Sequence, residues 1–581
     1  MRCRYPVLRS HRDCSADHLW PMPEVKSETS ARTWWSAHPL FWMTASVARF
    51  AMLVLSIVLL SPIVAPAQSW SALQNQPPSF GLNFCMLLTD GTVICQSSGA
   101  TWIKLTPDLF GSYVNGSWSR IASFPSGYAP YAYASAVLAD GHVVVVGGEY
   151  NNGPFVLTNI GAIYDPIANT WGLLPPPPNI QFVGDAPAVV LPNGTFLIGS
   201  KLDQKMAVLD PSTLTWTAIN ETGKIDGFNS EEGWVLLPDG SVFTLDVQDA
   251  PNAERFIPFT STWVSAGPVP VDLHTPPTSG PIQVPGGPIY NPPGEIGPDL
   301  LLPNGTVFTV GANGATSIYS PSTNSWTEGP VVPSGLHIED GPGAVLPNGH
   351  VLFGANPAEA TGLQYFEFDG ASLIGVPAPS GTTLDATFGT GLLVLPSGQV
   401  MFVDSNRVEI YTPASSTSNS SWAPTITSVA AIINSGTTYP ITGTQFNGLS
   451  QGTAFGDESQ NATNYPLVRI TNNASGHVFY ARTHGHSTMG VATGTAPVST
   501  NFDVPVGIEA GSSELVVVAN GIASQAVNIS VTVPTATASG TPTSTSTPTA
   551  TVTSTPTQTA IRTATATATP TATKTATATA T

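Results

Sequence analysis

The chain has 581 residues, only 9% of them charged, with 54 glycines, 54 prolines and a formal net charge of −19. The length allows more than one domain, and so much glycine and proline implies many turns and few amphipathic helices. The acidity excludes binding to a nucleic-acid backbone, which needs clustered positive charge, and leaves cations and neutral ligands as partners.

Residues 1–42 fit no targeting class and read as a mis-called extension ahead of a true start at Met43, which sets aside Cys3 and Cys14. Residues 43–67 read as a secretory signal. Arg49 forms the positive region, Phe50 to Leu60 the apolar core, and Ala65-Pro66-Ala67 the cleavage site. The apolar core falls short of the ~20 residues of a membrane span. A signal anchor is the alternative to cleavage. The expected location is secreted, extracellular or cell-surface, with no stable membrane span after cleavage. Two cysteines then remain, in CMLLTDGTVIC. A three-residue hairpin loop at Thr89-Asp90-Gly91 sets Cys85 opposite Cys95, where a disulfide can form after export; two buried thiols are the other reading.

One pattern recurs along the chain: LLTDG (87–91), VLADG (137–141), VLPNG (190–194), LLPDG (236–240), LLPNG (301–305), VLPNG (345–349) and VLPSG (394–398). Each copy lies between apolar runs and has the chemistry of a type I turn followed by a left-handed glycine. A tryptophan strand follows several copies, as in YDPIANTW (164–171), LDPSTLTW (209–216) and YSPSTNSW (319–326). Four strands in about 50 residues is the unit of a propeller blade. Seven copies predict an all-β, seven-bladed propeller over residues 68–422. The seventh unit lacks a tryptophan strand, so the segment around Trp70 is expected to close the ring. The 65-residue spacing between two of the glycines reflects a Pro/Gly-rich insertion at 268–297 that carries His274 and Tyr290.

Residues 423–533 show short alternating strands and predict an immunoglobulin-like β-sandwich. Residues 534–581 are Thr, Ala, Ser and Pro with almost nothing large and apolar. They predict a disordered stalk.

The turn repeat together with GDESQNATNYPLVRI (456–470) and RTHGHSTMGVATG (482–494) resembles the galactose oxidase and glyoxal oxidase group. It resembles in particular bacterial kelch-repeat proteins with a galactose-oxidase-like C-terminal domain of the E-set type. The resemblance implies a kelch-type propeller and a sandwich hairpin that enters its central channel, with His484 at the position of a copper ligand. It also implies a tyrosine-histidine pair ahead of one blade's turn. This chain has Phe388-Gly389 there, and no Tyr-His pair anywhere. Copper-radical oxidation is therefore not expected, nor is copper.

Eight residues of strand rise ~26 Å, so positions eight or nine before each turn's Asp or Asn share a level at the opposite face. Those positions and their neighbours hold Tyr131, Asp185, Glu231, Glu232, Glu295, His337, Glu339 and Asp340. Carboxylates converging on one mouth hold a divalent cation or raise one another's pKa; at strand starts they also accept backbone hydrogen bonds. His484 and His486, on alternate residues, are candidate metal ligands, or hydrogen-bond partners at a domain interface. The function expected is recognition of an extracellular glycan or other ligand at the mouth by a monomeric protein. The alternative is a metal-dependent extracellular enzyme using Glu231, Glu339, Asp340 and His484.

Overall fold

The computed structural model describes residues 68–533 apart from positions 80, 83, 277–279, 359, 406, 416 and 456–459. The extension, signal and stalk expected at 1–67 and 534–581 lie outside the described residues. No helix among the described residues is long and apolar enough to cross a membrane.

Seven blades are formed, each an antiparallel sheet built on four strands. Their innermost strands are Cys85–Leu87, Ala134–Val137, Ala188–Val190, Val235–Leu236, Asp299–Leu301, Gly343–Val345 and Gly391–Val394. We number the blades 1 to 7 in that order. Every turn after an innermost strand has the same geometry. The glycine N–H donates to the leucine carbonyl three residues earlier at 2.8–3.0 Å, from Gly91 to Leu88 through Gly398 to Leu395. Each of these glycines is left-handed, with φ between 75° and 87°. At Gly91 space matters as well as φ, because a Cβ there would lie 2.4 Å from the Tyr480 ring.

Blade 7 is completed by the first described strand, Ser69–Ala72, which pairs with Val408–Thr412 and sets Trp70 opposite Tyr411. The ring is thus closed by the segment that the recurrence predicts, which joins the start of the propeller to its last blade. A Cys85–Cys95 disulfide joins directly opposed residues of blade 1, with Cα atoms 4.1 Å apart.

From Thr425 to Thr532 eight strands follow one hydrogen-bonded path, with Ile522–Ala523 paired to Gly511–Ala519 off it; on the path Val478–His484 pairs with Leu467–Asn472 on one side and Pro497–Asp503 on the other. Their apolar side chains, among them Ile433, Ile441, Val468, Phe502, Leu515 and Ile529, enclose a separate core. This sheet-rich region docks on the turn face of the propeller. Thr483 N–H donates to Thr89 O (3.1 Å), Arg482 Nη2 to Asp140 O (2.6 Å) and Met489 N–H to Pro192 O (3.0 Å).

Residues 451–455 and 460–461 lie in the central channel and meet the innermost strands of four blades. Thr453–Ala454 pairs with Gly343–Ala344 of blade 6. Gln451 Oε1 accepts from Leu236 N–H (2.8 Å), and Ser135 Oγ donates to Gln460 O (3.0 Å). Asn461 Nδ2 donates to Leu392 O (2.7 Å). The histidine pair lies elsewhere. His484 ends a strand beside Asp503 (Nε2···Oδ1 3.1 Å), outside the channel. Gly485, left-handed at φ 63°, breaks the extended run, so the two rings do not share a face. His486 is buried instead, parallel to the Tyr465 ring and bonded through Nδ1 to Thr500 Oγ1 at 2.8 Å.

Candidate functional site: the propeller mouth

The mouth lies at the face opposite the turns and the docked region. Asp185, Glu231, Glu295 and Glu339 each precede an innermost strand by three or four residues, as Tyr131 does in blade 2. The approach to that strand is left-handed in five successive blades: Ala132 (φ 50°), Gly184 (59°), Glu231 (59°), Gly294 (118°) and Glu339 (54°). Glycine takes this conformation freely, whereas a glutamate held there is strained, a state that clusters where a side chain must be aimed.

The structure divides the mouth into a closed half and an open half. In the closed half Lys201, directly after the second strand of blade 3, is fully buried and donates to Asp185 Oδ2 (2.6 Å) and Glu231 Oε1 (2.8 Å). The insertion after blade 4 covers them. Its hairpin, Ile282–Gln283 with Ile289–Tyr290, brings the Tyr290 hydroxyl to Glu231 Oε1 (3.1 Å) and Ser230 Oγ (2.6 Å). The Lys201 ammonium lies 5.5 Å from the Tyr290 ring centre. Burial raises the Asp185 carboxyl to about 6 against the pull of Lys201, with Glu231 adding to the rise. For Glu231 burial acts upward too, but Lys201, Ser230 and Tyr290 outweigh it and hold the group below its usual value. Burial works against the Lys201 charge, and the two carboxylates reverse this and push its pKa well up.

Two carboxylates of the expected acidic ring are therefore bound up in an internal ion cluster. The sequence reading missed Lys201. Its signal was there: a lone lysine directly after the buried strand FLIGS in a chain with only 18 Lys and Arg.

Glu232 turns away from its neighbour into a second buried group. Its Oε1 takes the Lys224 ammonium (2.7 Å) and its Oε2 the Trp234 indole N–H (3.1 Å). Lys224 also reaches Glu254 Oε2 (3.5 Å) and stands 4.4 Å from the Trp263 ring centre. Burial raises Glu232 to about 7, and burial with Glu254 and Glu232 raises Asp246 to about 9. Sequence reasoning singled out none of Lys224, Asp226, Asp246 and Glu254, because they fall outside the turn register.

The open half lies between blades 5, 6 and 7. Thr275, Glu295, Glu339, Thr361, Ala386 and Phe388 line one cleft there. Glu295 N–H donates to Thr275 Oγ1 (3.0 Å), and Glu339 N–H to Ala312 O (3.0 Å), which fixes both backbones. Phe388, partly exposed, stands where the resembled oxidases place tyrosine, and contributes a ring face with no ligating atom. His337 pairs with Asn356 at the edge of blade 6, and Asp340 is partly buried beside Glu339. Tyr131 stands across the mouth in a rim of aromatic rings with Tyr150 (6.2 Å between centres), which in turn meets Phe155. The structure brings Glu295 and Glu339 together in one cleft and holds His484 and His486 at the other end of the propeller.

No protein-family model matches the chain, and no curated protein does. Among solved structures, the chain is similar to a fungal alcohol oxidase of the AA5 family in complex with copper, at 13% identity over 80% of this chain and 100% of that one, with a TM-score of 0.47. It is also similar to virginiamycin B lyase from Staphylococcus aureus, at 11% identity, with 59% and 98% of the two chains covered and a TM-score of 0.38. A third is the extracellular domain of a putative hybrid two-component system from B. thetaiotaomicron, at 10% identity, 81% and 59% coverage and a TM-score of 0.40. None of these likenesses carries information on activity.

Proposed function

We propose that this is a secreted or surface-displayed recognition protein, a kelch-type propeller with an immunoglobulin-like domain docked on it, whose open mouth cleft binds a neutral glycan. One observation supports this above the rest: Glu295, Glu339, Thr275, Thr361 and the Phe388 ring line a single cleft. Carboxylates accept hydrogen bonds from sugar hydroxyls, threonine hydroxyls donate and accept, and an aromatic face covers the C–H side of a pyranose ring. The backbone pinned in left-handed conformation at Glu339 pre-organises the wall, which lowers the entropy lost on binding. Copper-radical chemistry is not part of this proposal, because Phe388 and Gly389 supply no ligating side chain.

The test is a glycan array followed by titration calorimetry on the best ligand. Phe388→Ala and Glu339→Gln are each expected to weaken binding about tenfold, the effect of a central contact of ~1.4 kcal/mol. Arg482→Ala, on the turn face, is expected to leave it unchanged. No glycan bound, or binding indifferent to both mouth variants, would overturn the assignment.

A further inference from the structure

Asp226, Glu232 and Asp246 come from three separate places in the chain. Asp226 belongs to the loop entering blade 4, Glu232 precedes the innermost strand, and Asp246 directly follows the second strand, Val242–Leu245. One carboxylate oxygen of each lies within 4.8 Å of the others, and all three side chains are fully buried. Glu254 and Lys224 complete the group. Four carboxyl groups thus gather around a single ammonium in the interior, an excess of acid over the cations that the chain supplies there.

The carboxylates differ in how they are satisfied. Asp226 accepts from the backbone N–H groups of Gln248 (2.9 Å) and Phe228 (3.4 Å). Glu232 has Lys224 and Trp234, and Glu254 has Lys224 and the Ile225 N–H. Asp246 is the exception: both of its buried carboxylate oxygens meet no donor. Its backbone is held in place, the N–H by Asn252 O (3.1 Å) and the C=O by His274 Nε2 (3.1 Å). A side chain so fixed and so unsatisfied, aimed at two other carboxylates, is arranged to receive a positive partner that the chain itself does not supply.

We propose that Asp226, Glu232 and Asp246 bind a calcium ion inside blade 4. The donors are all hard oxygens, with no thiolate or imidazole among them, which selects Ca²⁺, Mg²⁺ or Mn²⁺ over zinc or copper. An enclosed site of protein oxygens favours Ca²⁺, which takes a flexible shell of such ligands, over Mg²⁺, which dehydrates reluctantly and keeps several waters. The site is enclosed and lies apart from the mouth cleft. Its role is to tie the entry loop of blade 4 to the end of that blade's second strand, and its failure would leave the glycan assignment standing.

The test uses the purified protein stripped with EDTA and titrated with Tb³⁺ and Ca²⁺. Trp234 and Trp263 stand beside the site, so bound Tb³⁺ is expected to give tryptophan-sensitised emission that Ca²⁺ quenches by competition. Ca²⁺ is expected to raise the melting temperature of the stripped protein, by linkage to the folded state. Asp246→Asn, of equal size and without charge, is expected to abolish both signals with the circular dichroism spectrum unchanged. Asp226→Asn serves as the second variant and is expected to do the same. A wild-type protein indifferent to Ca²⁺, with Asp246→Asn melting at the same or a higher temperature, would identify Asp246 as a neutral buried acid and overturn the proposal. Emission and melting shifts that persist in both variants would overturn it equally.

Discussion

Lys201 shows how one residue decides the character of the mouth. Its ammonium lies between Asp185 and Glu231, fully buried itself, with both carboxylates nearly so. Removing one partner of such a cluster costs more than the cluster ever contributes, because the remaining charges stay buried without a counter-ion. Lys201→Met is therefore expected to destabilise the protein by about 3–5 kcal/mol at pH 7 in urea unfolding. Adding Asp185→Asn to it is expected to return part of that loss. Equal stability of wild type and Lys201→Met would mean that solvent reaches the cluster. The sequence made the carboxylates legible, because equal offsets from a recurring turn become equal heights around a ring. The lysine was hidden for a physical reason: its burial comes from Tyr290 on an insertion 89 residues further along, and no local pattern encodes that contact.

At the scale of elements, the recurring tryptophan strands prove to be fasteners between blades. Trp171 Nε1 donates to Ala122 O (3.1 Å), Trp216 to Pro175 O (2.9 Å) and Trp326 to Ala266 O (2.8 Å). In each case the acceptor lies just beyond the outer strand of the preceding blade. Trp70 makes the same bond to Pro377 O (2.7 Å) beyond blade 6, and Trp118 to Asn75 O (3.0 Å) beyond the closing strand. The closing strand thus both receives and makes a fastening. Trp70 also packs against Tyr365, Phe402 and Tyr411 with ring centres 4.8–5.8 Å away. Trp70→Ala is expected to cost about 3 kcal/mol, the lower end for a large aromatic since this ring is not fully buried. Limited proteolysis should then cut first in the 68–80 segment. Trp70→Phe, which keeps the ring contacts and loses the hydrogen bond, is expected to cost about 1 kcal/mol. The turn and tryptophan motifs were readable because they are local chemistry repeated in register. What the indole fastens to was not, since the acceptor is a backbone carbonyl in another repeat and carries no residue signature.

On the scale of the whole molecule, the turn face carries the docked region and the mouth lies opposite it, and the histidines belong to the turn face. The resemblance led to the expectation that His484 enters the channel. The residues that enter are 451–455 and 460–461, whose polar side chains and backbone bond to the innermost strands, while 482–489 lies across the turns of blades 1 to 3. Alternation in sequence implied a shared face for the two imidazoles, and one left-handed glycine between them cancels it. His486 instead becomes part of the docked interface, its backbone N–H bonded to Ala139 O (3.3 Å). Burial, with a smaller contribution from the neighbouring His484 side chain, lowers the His486 pKa to about 3. In the unfolded chain the same group takes a proton near pH 6.5. Below that value the unfolded state binds a proton that the folded state refuses, so its contribution to stability is complete above pH 6.5 and declines as the pH falls toward 3. The slope is about 1.4 kcal/mol per pH unit within that window. Urea unfolding of wild type and His486→Gln at pH 7, 6, 5 and 4 is expected to show the two curves converging as the pH falls, at up to that slope. Because Gln451, Thr453, Gln460 and Asn461 tie the docked region to four blades at once, both regions are expected to unfold in one transition, at acid as at neutral pH. Parallel pH profiles for the two proteins would mean that His486 takes up its proton in the folded state, and that the interface around Tyr465 and Thr500 is open to water.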